Sequence, residues 1–118
     1  MRKLSEVVRE VRARRLEEAL RMVRAYLAEL SKRIEVREAY LFGSIARGDS
    51  LDVSDIDLLV VSPSVRGLSR DERISLAYRA WRFKRAADII LLTPEEFRRA
   101  LERSVVLKDA SRYWIKVL

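Results

Sequence analysis

Two aspartates one residue apart, Asp55 and Asp57, head the apolar run Ile56 to Val61, and no other feature of the 118-residue chain restricts its fold so tightly. A short apolar run of this kind reads as a buried strand. Side chains on a strand alternate faces and rise about 3.3 Å per residue, so the two carboxylates share a face, about 6.6 Å apart at their backbones. Carboxylates held beside a core repel each other and lose hydration. A cation is therefore expected between them. The chain has no His and no Cys, which argues against zinc and for an all-oxygen site of Mg²⁺ or Mn²⁺.

Magnesium commonly works with phosphates, and the chain offers a place for them upstream. The run Ala39 to Phe42 ends at Gly43-Ser44, where a turn or short helix should begin. Small residues, free backbone N–H groups and one hydroxyl make that junction a candidate phosphate cradle.

Gly43-Ser44, ten residues, then Asp55-Ile56-Asp57, with Ala46-Arg47-Gly48 inside, resemble the signature of the polymerase-beta-like nucleotidyltransferase superfamily in its minimal (MNT) branch. The likeness spans residues 36–92. It implies that Asp55 and Asp57 bind Mg²⁺, with Mn²⁺ as a substitute. Asp88, in Ala87-Asp88-Ile89-Ile90-Leu91-Leu92, is similar in context to the family's third carboxylate; it would complete the metal facing the acceptor and take the acceptor's proton. Gly43 and Ser44 would hold the terminal phosphates, and Arg47 would neutralise them or fix the loop.

The activity so implied is transfer of a nucleoside monophosphate, AMP from ATP, onto an acceptor hydroxyl. Minimal members resembling this one pair with a small helical HEPN protein, an RNase toxin, and act as antitoxin by modifying a Tyr on it. Two rivals stand beside this reading. One is a nucleotide-binding antitoxin that works by contact alone; the other is a small-molecule, aminoglycoside-type transferase whose acceptor pocket is built by forming a homo-oligomer.

The length suits one small domain, 1–118, with no room for a second acceptor-binding domain. Absence of Cys fits a reducing interior, and no apolar run approaches the ~18 residues of a membrane span, so a cytoplasmic protein without membrane contact is expected. Net charge is +7 with 36% charged residues. Because acidic residues intersperse with basic ones, this reads as a solvated surface or a nucleotide ligand rather than direct nucleic-acid binding.

The fold class expected is α/β (α+β), a small mixed sheet with flanking helices. Residues 4–30 carry a helical pattern, with Leu16, Leu20, Val23, Leu27 and Leu30 on one face. A second stripe, Leu4, Val7, Val8 and Val11 continued by Met22 and Tyr26, lies roughly 120° away at ~100° per residue. It either wraps the same core or faces a partner or second copy. Strands are expected at 36–42 and 55–61, antiparallel because their connection is short, with Asp49 and Asp52 as turn and cap residues.

Ser62-Pro63-Ser64 and Gly67 mark a loop, and Ser69 to Glu72 a capping box for a helix whose apolar face is Ile74, Ala77, Tyr78 and Trp81. The Asp88 strand then completes a βαβ crossover with parallel pairing. Its arginines, Arg70 and Arg73 among them, read as a solvated face or as holders of nucleotide or acceptor. Thr93-Pro94 starts a further helix, with Phe97, Ala100 and Leu101 inward. Val105 to Leu107 is expected as a short strand. The apolar tail with Tyr113, Trp114 and Ile115 either finishes the core or forms an interface.

Overall fold

The computed structural model describes residues 2–48 and 55–118; Asp49 and Asp52, expected as turn and cap residues, lie outside them. Helix α1 (Leu4–Leu30) leads into strand β1 (Glu38–Phe42), short helix α2 (Gly43–Arg47) and strand β2 (Ile56–Val61). A 3-10 turn at Pro63–Val65 precedes helix α3 (Arg70–Arg79) and strand β3 (Ala87–Leu92). Helices α4 (Pro94–Arg103) and α5 (Val105–Ala110) and strand β4 (Ile115–Lys116) follow. Among the described residues the strands form one mixed sheet in the order β3-β2-β1-β4. β1 and β2 are antiparallel, as their short connection demands, and β2 and β3 are parallel.

Strand alternation divides the core in two. Ala39 and Leu41, Ile56, Leu58 and Val60, and Ile89 and Leu91 face the side covered by α1 and α3. Tyr40, Leu59, Val61, Phe42 and Leu92 face the other, where Phe97, Leu101, Leu107 and Trp114 cover them. A sheet covered on both faces explains why β2 reads as an almost unbroken apolar run. Each fully buried Leu or Val contributes about 1.5–3 kcal/mol.

The two stripes of α1 resolve along its length. Val23, Leu27 and Leu30 are buried with Tyr26, whose hydroxyl donates to the Ala77 carbonyl at 2.8 Å, and Leu16, Leu20 and Met22 pack at the margin. The first turns extend past this core, leaving Leu4 78% exposed. The expected capping box at Ser69–Glu72 starts α3, and Thr93, expected as the start of α4, forms a second box with Glu96.

Two expectations are corrected. Residues 105–107 are the start of α5, not a strand: the Ser104 hydroxyl accepts from the Leu107 N–H and so caps a helix. Val105 and Val106 are each 80% exposed, and only Leu107 packs inward. On α3, only Ala77 is buried, while Ile74 and Tyr78 turn outward along β3. The tail is core. Trp114 stacks on Tyr40 with ring centres 4.2 Å apart, and β4 pairs with β1. No helix among the described residues is long and apolar enough to cross a membrane.

Candidate active site

Strand register brings the predicted residues to one end of the sheet. Asp57 lies directly across from Phe42 on β1, so Gly43 is the next residue along, and beside Asp88 on β3. Neighbouring strands run about 4.8 Å apart. Asp57 and Asp88 share the face covered by α4 and α5; Asp57 is half-buried and Asp88 exposed. Asp55 is exposed just before β2 begins.

Gly43 is where the chain leaves β1 for α2, and its φ of 80° is in the left-handed region. A Cβ placed there would collide with the Asp57 Oδ2 and lie 3.1 Å from its Cγ and 3.4 Å from its Cβ. Glycine thus has two reasons to be present: the backbone angle and the carboxylate standing against it. Ser44 is half-buried on the first turn of α2, and Arg47, at its end, is exposed.

Burial pushes the Asp57 carboxyl above its ordinary pKa, and the charges of Asp88 and then Asp55 push the same way; Arg47 opposes them. The carboxylate at the centre of the cluster is therefore held in its charged form against both burial and like charge. Among the described residues no three carboxylates form a ready-made cation cage. Asp57 and Asp88 are the adjacent pair, with Asp55 at the rim. Such a partial, all-oxygen donor set suits Mg²⁺, which usually takes one or two carboxylates and completes its shell with water and substrate phosphates.

The family model described as nucleotidyltransferase domain matches residues 20–113. The chain belongs to that family. A solved structure from Sulfolobus solfataricus, provisionally described as a nucleotidyltransferase, resembles this nucleotidyltransferase domain with a TM-score of 0.65 at 30% identity. The match covers 75% of this chain and 79% of that one. Among curated proteins, none matches the chain. The mixed sheet with its flanking helices is the nucleotidyltransferase fold, and family and fold together support nucleotidyl transfer.

Two hollows flank the carboxylates of the nucleotidyltransferase domain. One, bounded by Gly43, Arg47, Ile90, Leu107 and Tyr113, lies between the sheet and α5. The other, about 760 Å³, lies beyond β3 and is lined by Asp57 and Asp88 with Arg70, Arg73, Ile74 and Tyr78 of α3. Sequence reasoning left those arginines unplaced. Their signal was present: positions 70, 73, 74 and 78 recur at helical spacing and so share one face. What could not be read was that this face runs along the edge of β3 and, while still open to water, lines a hollow with it.

Proposed function

We propose that this nucleotidyltransferase domain transfers AMP from ATP to the hydroxyl of a Tyr on a HEPN RNase toxin and acts in the cytoplasm as its antitoxin. The observation that supports transfer chemistry best is the position of Asp57, set between Gly43 on one side and Asp88 on the other. Mg²⁺, or Mn²⁺ in its place, fits the oxygen donors of Asp55, Asp57 and Asp88 and, when bound, would neutralise phosphate charge and polarise the α-phosphate.

The chain's own residues divide the remaining work. Gly43 admits the Asp57 carboxylate against the turn that takes the end of the triphosphate, the Ser44 hydroxyl donates to that end, and Arg47 offsets negative charge. The acceptor oxygen bonds to the α-phosphorus as the bond to the bridging oxygen breaks, and pyrophosphate leaves with that electron pair. Asp88 accepts the hydroxyl proton.

This division gives Asp88 a role in the transition state rather than in holding nucleotide. Asp88→Asn should bind Mg-ATP within a few-fold of wild type yet transfer almost no label from α-labelled ATP to the HEPN partner. Transfer at the wild-type rate would show that Asp88 is only a strand-end carboxylate. Label on the partner at a residue other than Tyr would refute the proposed acceptor.

A further inference from the structure

The order of the strands constrains where the acceptor can come from. Across the site run β1, followed directly by Gly43, then β2 with Asp57, then β3 with Asp88. On the reading proposed above, on which this inference rests, pyrophosphate leaves from the Gly43-Ser44 side and the α-phosphorus sits at Asp57. Attack in line with the leaving group requires the incoming oxygen on the opposite side. Opposite Gly43 across this sheet is β3, and β3 is the edge strand. The acceptor must therefore arrive over the outer edge of β3, where the hollow beneath α3 opens.

The walls of that hollow define what it can admit. Ile74, Tyr78 and Ile90 are 44%, 38% and 45% exposed, an uncovered apolar group at the mouth of a charged site. Arg73 is already committed: its Nη1 donates to the Leu91 carbonyl at 3.1 Å and to Glu96 Oε1 at 2.7 Å. Arg70, in contrast, has no ion pair or hydrogen bond on its guanidinium among the described residues. The carboxylates lining the hollow, Asp57 and Asp88, are those assigned to the reaction itself.

The edge of β3 is also partly occupied by side chains of α3. The Tyr78 hydroxyl donates to the Ala87 carbonyl at 2.9 Å and accepts from the Ile89 N–H at 3.1 Å, while Arg73 takes the Leu91 carbonyl. With these outward groups occupied, docking by extension of the sheet is disfavoured, and insertion of a side chain is the simpler way in.

We infer that the hollow between α3 and β3 is the acceptor subsite, and that Arg70 and Ile74 select a hydroxyl-bearing protein side chain flanked by apolar and acidic residues. The same wall excludes polycationic small molecules. An aminoglycoside carries several ammonium groups, which need carboxylates; here it meets Arg70 and an apolar surface, with both acids engaged. An acidic residue beside the acceptor Tyr would pair with Arg70 and bring the phenol to Asp88.

The test uses the whole protein, Mg-ATP labelled at the α-phosphate, and three acceptors: a Tyr peptide flanked by Glu and Leu, the same peptide with Lys for Glu, and kanamycin. Wild type should prefer the acidic peptide at least tenfold in kcat/KM and leave kanamycin unlabelled. Arg70→Glu should invert the peptide preference through KM for peptide, with KM for ATP within twofold of wild type, and Arg70→Lys should restore most of the original order. Arg70 is exposed at the first turn of α3, so both variants should melt with wild type. Equal effects on both peptides, a main effect on KM for ATP, labelled kanamycin, or ATP bound with neither peptide labelled overturns the subsite. Failure of the wild-type protein to bind Mg-ATP overturns instead the reading on which it rests.

Discussion

Replacing Gly43 with Ala tests the centre of the site with a single methyl group. Two costs follow from the structure. The backbone at φ 80° is left-handed, which costs an L-residue about 1–2 kcal/mol. The added Cβ also meets the Asp57 carboxylate. Rotating the carboxyl group moves the oxygen away but leaves Cγ at 3.1 Å and Cβ at 3.4 Å, so the side chain or strand must shift by several tenths of an ångström. Gly67 supplies the control, since its φ is 82° and a Cβ there meets nothing within 4 Å. Gly67→Ala should lose about 1–2 kcal/mol in urea unfolding and Gly43→Ala more, because it adds the clash with Asp57 to the same backbone cost; each kcal/mol is about 3–6 °C of melting temperature in a chain of this size. Only Gly43→Ala should lose function. Misplacing a reacting group by a fraction of an ångström to 1 Å can cost about 100-fold, equal to about 2.7 kcal/mol of barrier. If Gly43→Ala transfers label within about threefold of Gly67→Ala, Asp57 does not depend on Gly43 and the proposed arrangement is wrong.

Other perturbations test the supports. Burial and neighbouring carboxylates raise the Asp57 pKa, so its contribution to stability is complete below the unfolded value of about 3.9 and is lost as pH rises through the folded value. Asp57→Asn removes that charge; at pH 7 with chelator it should melt above wild type while transfer falls by orders of magnitude, and a lower melting point would refute the repulsion argument. Tyr26→Phe removes the buried donor to the Ala77 carbonyl and should cost about 1–2 kcal/mol in urea unfolding; a change below about 0.3 kcal/mol would show that bond to be worthless. Trp114→Ala strips a ring stacked on Tyr40 and tilted against Phe97, so it should destabilise the monomer by about 2–4 kcal/mol. A change in oligomeric mass at unchanged stability would return the tail to an interface role.

What the sequence disclosed about this fold depended on the range of the interaction involved. Asp55, Asp57 and the Gly43-Ser44 turn were legible because strand alternation and a turn are local properties, carried within a few residues. The parallel partnership of Asp88 with Asp57 followed from one helix between two apolar strands. Val105 and Val106 misled because β-branched residues favour strands, whereas the Ser104 cap, with its side-chain bond to the Leu107 N–H, decided the outcome. Ile74 and Tyr78 carried the right period for a buried face, yet Tyr78 is spent on the β3 backbone. The fate of the tail was beyond local reading, since a strand as short as Ile115–Lys116 acquires meaning only from a partner some 75 residues earlier.

That late partner has a consequence for the order in which the molecule can assemble. β1 meets β2 through a short connection, a contact that closes early and at small entropic cost. On its other side β1 waits for residues 115–118, where the Val117 N–H reaches the Ala39 carbonyl at 2.8 Å and the Ala39 N–H reaches the Leu118 carbonyl at 3.1 Å. During synthesis, β1 is therefore paired on one side only until residues 115–118 emerge, its Tyr40 ring uncovered by Trp114. A nascent chain arrested before residue 113 would hold the Gly43-Ser44 turn beside an unpaired edge of β1, which gains its second neighbour only when Ile115 and Lys116 pair with it.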